Sequence, residues 1–221
     1  MTDLVIDFEN ARTAMVECQV LPGGVRDKKI CNVLRQVPRE CFVPQEFKNL
    51  AYMDNTVPLK EGRELTSPLA FARLVELADV EPDDLVLDIG CAYGYSAAVL
   101  ASLAGTVVAV EQDETYHEAA LAMLEKHGAD NAVLVQAEHA KGQPKQGPFD
   151  VIFIGGMVPQ VPADLLEQLN EGGRLVCVGM QDGASRGMIY RRYENGFSNQ
   201  SAFDISAPEI PGFEVEKGFT F

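Results

Sequence analysis

A short segment after a predicted buried strand combines small residues with an acidic side chain. It reads Asp88-Ile89-Gly90-Cys91-Ala92-Tyr93-Gly94-Tyr95, and small residues between a strand and a helix let a ligand approach the backbone and the helix N-terminus. Glu111 stands 21 residues beyond Gly90, a spacing at which a carboxylate can accept hydrogen bonds from a ribose diol. The alternative is a tight turn at Gly90 and Gly94 with a solvated Glu111.

The residue at position 95 decides between two kinds of cofactor. A dinucleotide site would read G-x-G-x-x-G with its third glycine at this position, where the chain has Tyr95. The segment is more similar to the D/E-x-G-x-G-x-G turn of methyltransferases, with Ala92 in place of the middle glycine. S-adenosyl-L-methionine carries a sulfonium and an ammonium and no pyrophosphate, so neither Asp88 nor Glu111 would repel it. We therefore expect this cofactor rather than NAD.

Several further segments extend the similarity to one family. The VPRECFVP segment at residues 37–44 resembles the VPR-x-x-FVP segment of the protein-L-isoaspartate O-methyltransferases, and residues 51–59 resemble their AY-x-D and LP stretches. DIGCAYGYSAAVL at residues 88–100 is similar to their EIGTGSGYQAAVL. Residues 148–150 resemble their PFD, and residues 165–176 the helix, turn and strand that follow. The resemblance covers nearly the whole chain.

The resemblance implies a reaction that requires few catalytic groups from the protein. Such enzymes esterify the free α-carboxylate of an isoaspartyl residue in a damaged protein or peptide, and the ester collapses to a succinimide that can reopen to aspartate. Because the pKa of a carboxyl is about 4, this nucleophile is already ionised at neutral pH. No general base is needed, and catalysis reduces to positioning.

The residues that would orient the substrate carboxylate are implied by a segment that the family writes close to G-Q-T-I-S-Q-P. This chain reads Gly62-Arg63-Glu64-Leu65-Thr66-Ser67-Pro68. We assign the catalytic positions to Thr66 and Ser67; either hydroxyl could instead only cap the helix that Pro68 opens. Glu64 would repel an anionic substrate if it pointed inward, and Arg63 could compensate for that charge.

Other cofactor contacts are implied by the same resemblance. Beside the adenine ring the family has a G-D-G turn, where this chain has Ala137-Glu138-His139. Glu138 can accept from the adenine amino group, while His139 either stacks on or crowds the ring or is a surface-loop histidine. Gly155 either lines the methyl-transfer pocket or only ends a strand. The predicted cofactor-binding residues are Asp88, Gly90, Cys91, Ala92, Gly94, Tyr95, Glu111, Gln112, Glu138, His139 and Gly155.

The elements that must position these residues follow from residue 85 onward. Short apolar runs (LVLDI, TVVAVE, AVLVQ, FDVIFIG and RLVCVG) alternate with helical patterns, which is typical of an open α/β sheet. Ligands bind outside the carboxyl ends of such strands, where the candidate residues lie. We predict a Rossmann-like, mostly parallel sheet with helices on both faces. Residues 90–110 are uncharged, but their glycines and their division into helix-like and strand-like parts argue against a membrane span.

The region before the core has helical patterns and requires no strand in its first fifty residues. Residues 7–21 predict a helix with Asp7 as N-cap, and a second helix starts at Asp27 and is stopped by Pro38. A third opens at Pro68 and runs to about residue 79. The apolar face of the first helix comprises Phe8, Ala11, Met15 and Cys18, and that of the second Ile30, Val33, Leu34 and Val37.

The chain after Gly179 predicts an antiparallel pair that closes the sheet. Its parts are GMIYRRYENGFSN and FEVEKGFTF, with Asn195-Gly196 as a turn signal. We divide the sequence into a helical N-terminal appendage with the substrate loop (1–80), a cofactor-binding core (81–180) and closing strands (181–221), all in one compact domain.

Composition excludes several classes of partner. Eighteen Lys and Arg against 33 Asp and Glu give a formal charge of −15, which repels phosphate backbones and anionic membranes, so we expect neither as a partner. Five cysteines without a C-x-x-C pair indicate reduced thiols, and the acidic N-terminus lacks the pattern of an export signal. We expect a cytoplasmic monomer or weak homodimer without a metal site.

Two other functions stay open on the residues alone. A relative that binds the cofactor but lacks isoaspartyl activity is suggested by Glu64, Ala92 and His139, which depart from the family pattern. The second is a small-molecule O-methyltransferase, which a pocket too narrow for a peptide backbone would favour.

Overall fold

The computed structural model describes residues 6–214, and within them the apolar runs form strands. The strands are β1 (Val57–Pro58), β2 (Glu64–Leu65), β3 (Leu85–Ile89), β4 (Thr106–Glu111), β5 (Ala132–Gln136), β6 (Phe149–Met157), β7 (Leu169–Gln181), β8 (Ala184–Tyr193) and β9 (Gly196–Asp204). The first two pair as a small antiparallel hairpin. The other seven form one sheet in the order β5-β4-β3-β6-β7-β8-β9.

This sheet is mostly parallel, as predicted. Strands β3 to β7 pair in parallel, and β8 and β9 are added antiparallel at one edge. Because the strand order reverses direction between β3 and β6, the carboxyl ends of these two strands border a crevice of the kind in which open α/β sheets bind ligands. The Rossmann-like fold class is confirmed.

The helices include two that begin at the aspartate caps predicted from the sequence, Asp7 and Asp27. The helices are α1 (Phe8–Met15), α2 (Lys28–Gln36), α3 (Pro68–Ala78), α4 (Tyr95–Ala101), α5 (Glu114–Lys126) and α6 (Ala163–Leu166). The side chains of Asp7, Asp27 and Asp113 accept backbone N–H bonds in the first turns of α1, α2 and α5, which satisfies donors that a helix leaves unpaired. Short 3₁₀ helices follow at Arg39–Phe42, Gln45–Leu50 and His139–Lys141.

The first helix departs from its predicted inner face. It continues as a π-helix over Val16–Val20, in which the Leu21 amide donates to the Val16 carbonyl at 2.9 Å. The wider turn carries Val16 and Val20 into the core and leaves Cys18 exposed. The inward placement of Cys18 was therefore wrong, because it assumed 3.6 residues per turn throughout.

Alternation along the central strands gives the sheet two apolar layers. Val86, Val107 and Val151 pack in one layer, and their neighbours Leu87, Val108 and Ile152 in the other, as a period of two requires. Helices α3, α4 and α5 cover the first layer. The second is covered by the four-residue α6 and by apolar residues near the C-terminal end of the described chain.

The predicted turn at the C-terminal hairpin is present, but its strands differ from the prediction. Tyr193 pairs with Gly196, so the chain turns at residues 194–195. The partner of β8 is β9, which continues directly from the turn, and not FEVEKGFTF. Phe213 and Glu214 lie in no strand, and the remainder of that segment falls outside the described residues.

Arg39 ties the N-terminal region to the core from a fully buried position. Its Nε donates to the Ala51 carbonyl at 2.7 Å and its Nη2 to the Thr66 carbonyl at 2.6 Å. The guanidinium carbon lies 4.9 Å from the centre of the Tyr95 ring, a favourable cation–π arrangement. One side chain thus fixes the backbone of the substrate loop to the first helix of the core.

We expect Arg39→Lys to lower the free energy of unfolding by about 2–4 kcal/mol, because an ammonium cannot make both bonds of the planar fork and a buried carbonyl loses its partner. Urea titration would measure the change. Arg26→Lys, at an exposed position, serves as the control and should change stability by less than about 0.5 kcal/mol. Equal stability of the two variants would contradict the role given to Arg39.

Candidate functional site

The loop after β3 forms a left-handed turn at the carboxyl end of the strand. Gly90, Ala92 and Gly94 have φ values of 79°, 47° and 92°, and Gly94 is the N-cap of α4. A left-handed conformation costs a residue with a Cβ about 1–2 kcal/mol, so Ala92 adopts the shape that a middle glycine would take freely. The turn directs the Ala92 amide to Glu111 Oε2 at 2.8 Å.

Glu111 lies at the end of β4 with 1% of its surface exposed. Arg63 Nη1 approaches its two carboxylate oxygens at 3.3 and 3.4 Å, and the Asp113 amide donates to Oε1 at 3.1 Å. Burial raises the pKa of Glu111, but the hydrogen bond of His139 and the charge of Arg63 outweigh it and lower the pKa to about 2. Glu111, the residue predicted to bind the ribose, is therefore a buried carboxylate that is ionised at neutral pH and already hydrogen-bonded.

His139 is one of these partners and is not a surface residue. It is fully buried, so the surface-loop interpretation was wrong. Its Nδ1 lies 2.9 Å from the Pro211 carbonyl and must donate, since a carbonyl only accepts. Its Nε2 accepts from the Gln112 amide at 3.1 Å and lies 3.2 Å from Glu111, to which it donates only as an imidazolium and in place of the Gln112 bond. The imidazole fills the place where the family pattern has a glycine.

Glu138 lies on the outside of the same turn. Its exposed carboxylate pairs with Lys141 at 2.6 Å, and both residues line an open cleft of about 670 Å³ between this turn and α6. Glu138 and His139 therefore lie on opposite sides of the chain, one facing solvent and the other Glu111.

Asp88 is the second buried carboxylate at the end of β3, with no exposed surface. Ser96 donates to its Oδ2 at 2.6 Å, whereas Oδ1 has no hydrogen-bond partner among residues 6–214. Burial, with a smaller effect of the nearby Glu111 charge, raises the pKa of Asp88 to about 7 despite the bond from Ser96.

The raised pKa of Asp88 predicts a pH dependence of stability. The folded protein holds this proton up to about pH 7, while the ordinary pKa is 3.8, so Asp88 makes the unfolding free energy fall as pH rises between these values, by up to about 1.4 kcal/mol per pH unit. In Asp88→Asn this contribution is absent. Urea titrations at pH 5, 6 and 7 should give a more negative slope for the unsubstituted protein; parallel slopes would contradict the assignment.

The substrate loop meets the sheet at Gly155. The Thr66 hydroxyl is buried and donates to the Gly155 carbonyl near the end of β6, so the structure brings these two candidates together. Ser67 is the N-cap residue of α3, yet its side chain makes no capping bond. Glu64 is exposed and accepts from the Thr56 hydroxyl at 2.7 Å, so it does not point inward, and Arg63 is paired with Glu111 instead.

Two of the predicted cofactor residues, Cys91 and Tyr95, have buried side chains. The Tyr95 ring lies 5.7 Å from Phe42 and 5.0 Å from Phe71 between ring centres, within the apolar layer under α4. Cys91 is buried in the loop, and burial raises the pKa of its thiol. The Cys91 thiol lies near the charges of Asp88, Glu111 and Arg63, whereas the Tyr95 ring is packed away from them.

Sequence reasoning missed a segment that crosses this end of the sheet. We call residues 208–213 the strap. The Met157 amide donates to the Pro208 carbonyl at 2.8 Å, and the Ile210 amide to the Met157 carbonyl at 2.9 Å. A Cβ on Gly90 would lie 2.9 Å from Ile210 Cγ2, and one on Gly156 2.7 Å from Ile210 Cδ1. The only sequence signal was the punctuation by Pro208, Pro211 and Gly212.

No group of three or more His, Cys, Asp or Glu side chains that could hold a metal ion occurs within residues 6–214. Across that same part of the chain, no helix is long and apolar enough to cross a membrane.

Two solved structures place the fold in a class. A Plasmodium falciparum protein described as a protein-L-isoaspartate O-methyltransferase, in complex with S-adenosyl-L-homocysteine, superposes with a TM-score of 0.76 at 19% identity over 91% of this chain and 98% of its own. Another protein-L-isoaspartate O-methyltransferase gives a TM-score of 0.71 at 24% identity over 93% of this chain and 66% of its own. The fold is that of a Rossmann-like methyltransferase.

Sequence comparisons narrow the class to a family. A sequence model of the protein-L-isoaspartate(D-aspartate) O-methyltransferase family matches residues 10–203. A protein-L-isoaspartate O-methyltransferase of Roseiflexus sp. (strain RS-1) is 38% identical over 77% of this chain and 78% of its own length. One from Marinobacter nauticus is 35% identical over 89% of this chain and 90% of its own. The chain belongs to this family.

Proposed function

We propose that the protein transfers a methyl group from S-adenosyl-L-methionine to the carboxylate of L-isoaspartyl residues in damaged proteins. The observation that carries this proposal is the family match over residues 10–203. The matched region includes a buried, ionised carboxylate at the end of β4 beside a left-handed glycine turn. The structural neighbour from Plasmodium falciparum was solved with S-adenosyl-L-homocysteine, the product of such a transfer.

The acceptors at the strand ends fit this cofactor. The Gly90 carbonyl and the Glu111 carboxylate both accept N–H groups of Arg63, at 3.0 and 3.3 Å, and Asp88 Oδ1 is buried without a partner in the described chain. An ammonium and a ribose diol supply donors for acceptors of this kind. We assign the ribose to Glu111 and the adenine end to the turn with Glu138 and His139. Gln112 and the loop residues Cys91, Ala92, Gly94 and Tyr95 complete the proposed contacts, Tyr95 through its backbone because its ring is packed against Phe42 and Phe71.

The chain's own groups provide positioning rather than proton transfer. The cofactor supplies, when bound, a methyl group activated by its sulfonium. Thr66 and Ser67 orient the substrate carboxylate, which is ionised without help from a base. A hydroxyl has one proton, so Thr66 donates to the Gly155 carbonyl before the substrate binds and to the carboxylate afterwards. The bond of Thr66 to Gly155 holds the substrate loop against the end of β6, and Arg39 holds the Thr66 carbonyl from below. A loop fixed on two sides gives the alignment that such a transfer requires.

The remaining features of the proposal concern partners and setting. The substrates are proteins and peptides with isoaspartyl residues, and the formal charge of −15 supports the exclusion of nucleic acid. We propose a cytoplasmic monomer or weak homodimer that works as one compact domain, with residues 1–80, 81–180 and 181–221 as its three parts.

Transfer of labelled methyl from S-adenosylmethionine tests the function. An isoaspartyl peptide and its normal aspartyl isomer are incubated with the protein under equal conditions, and base-labile label is counted. We expect label on the isoaspartyl isomer only. Label on neither peptide, with cofactor binding intact, would indicate a relative that has lost this activity. Label on small carboxylic acids but on neither peptide would indicate a small-molecule methyltransferase.

Thr66→Ala should lower kcat by at least about tenfold while cofactor affinity stays within about threefold, because the lost hydroxyl orients the substrate and not the cofactor. Steady-state kinetics and calorimetry on the same samples measure the two effects. Thr66→Ser, which keeps a hydroxyl and has the residue of the family pattern, is the matched control and should retain most of the activity. Equal losses in kcat and affinity would indicate a structural role alone.

A further inference from the structure

Two departures from the family pattern contact the same carboxylate. Arg63 stands where the family segment has glutamine, and its Nη1 lies 3.3 Å from Glu111. His139 stands where the adenine turn has glycine, and its Nε2 lies 3.2 Å from the same oxygen. Both side chains are buried, Arg63 with 8% and His139 with none of its surface exposed. The proposed ribose acceptor is thus occupied by the chain's own groups.

The strap closes the same end of the sheet from the other side. Ile210 lies over Gly90 and Gly156, so close that a Cβ at either position would come within 3.0 Å of its side chain. The Pro211 carbonyl accepts from His139 at 2.9 Å, and Gly212 approaches Gln112 so closely that a Cβ there would lie 2.5 Å from Gln112 Oε1. The strap therefore runs past the ends of β6, β3 and β4 and the turn after β5, which is the path proposed for the cofactor.

The strap lies outside the region that the family model matches. The family model matches residues 10–203, and the strap begins at residue 208. Among residues 6–214, two backbone–backbone hydrogen bonds tie it to the sheet, both with Met157. Segments with few backbone bonds open at a small fraction of the free energy of global unfolding.

We propose that the free protein keeps its cofactor site closed, with Arg63 in place of the cofactor's donors and the strap across the strand ends, and that S-adenosylmethionine binds only after both are displaced. The identity of the ligand rests on the proposed function. Arg63 is an internal competitor, because the Gly90 carbonyl and Glu111 that it occupies are the acceptors that the ligand needs. The strap fills the space at the strand ends that the ligand would occupy.

A cavity beside Arg63 supports the displacement of Arg63 by the ligand. It has a volume of about 200 Å³ and is lined in part by Gly62, Arg63, Ile210 and Phe213. Three carboxylates also line it, those of Glu61, Glu209 and Glu214. Negative charge at this point favours the approach of a cationic ligand and offers a departing guanidinium a partner.

Binding of S-adenosyl-L-homocysteine measured by calorimetry tests the closed site without turnover. Arg63→Gln restores the residue of the family pattern, and Ile210→Ala removes the side chain over Gly90. Each variant should bind about tenfold more tightly than the unsubstituted protein, because apparent affinity rises with the fraction of molecules that are open. Matched controls are Arg186→Gln, whose side chain pairs with Asp204 in the hairpin, and Ile189→Ala, which is as buried as Ile210. Both should bind as the unsubstituted protein does.

Hydrogen exchange gives a second measure that does not depend on affinity. The Ile210 amide is bonded to Met157 in the closed form, so its exchange should accelerate by about tenfold or more when S-adenosyl-L-homocysteine binds. Thermal unfolding confirms that each variant is folded. If Arg63→Gln does not fold, two measurements remain: the affinity of Ile210→Ala and the hydrogen exchange of the Ile210 amide in the unsubstituted protein.

Failure of the closed site and failure of the proposed function give different results. If all five proteins bind equally and the Ile210 amide stays protected in the complex, the closed-site proposal is wrong. The proposed function is unaffected by that result. No binding by any protein, together with no methyl transfer to the isoaspartyl peptide, would overturn both. Tighter binding by the two site variants without methyl transfer would support the closed site and reject the isoaspartyl activity.

Discussion

A carboxylate removed from water must be met by charges and hydrogen-bond donors, because an unpaired buried ion costs several kcal/mol. Glu111 is such a carboxylate at the carboxyl end of β4, and its partners come from three distant segments of the chain. Arg63 comes from the hairpin before the core, the Ala92 amide from the turn after β3, and His139 from the turn after β5. The arrangement of the loops around this end of the sheet follows from the need to bring these groups together.

A second buried charge lies in the N-terminal region. Arg39 is fully buried, and its hydrogen bonds within residues 6–214 are to groups other than carboxylates. Its charge is distributed over two backbone carbonyls and the face of Tyr95. The substrate loop is fixed as a result, since one of those carbonyls belongs to Thr66. The Thr66 hydroxyl then reaches Gly155 across the crevice. The helical appendage and the sheet therefore act as one unit at the point where a substrate would be positioned.

The sequence predicted the parts of the structure that depend on neighbours in the chain. Strand alternation, the aspartate caps and the glycine turn are local patterns, and the structure has them at the expected places. Glu111 was found by its spacing from Gly90, and the pairing of adjacent parallel strands makes that spacing reliable. Glu138 and His139 were expected side by side at the adenine end, yet the 3₁₀ turn sends one outward and buries the other.

The missed features depend on contacts between distant residues. Arg63 and Glu111 are 48 positions apart, and His139 and Pro211 are 72 positions apart. Neither pairing leaves a periodic signal in the sequence. The π-helix was missed for a different reason: a widened turn changes which residues face inward, and amino-acid composition gives no signal of it. Substitutions away from the family pattern at Arg63 and His139 did mark the right positions, although the residues alone could not show that they converge on one oxygen.

Gly156 has a consequence for how this protein can diverge during evolution. Its backbone is not left-handed, so alanine is compatible with its conformation, yet a methyl group there would lie 2.6 Å from the Pro208 carbonyl and 2.7 Å from Ile210. A single substitution at this position would force a shift at these two contacts with the strap, and Glu111, Arg63 and the glycine turn would keep their residues. Selection can therefore set how tightly the end of the sheet is covered without altering any residue that contacts a bound ligand's polar groups.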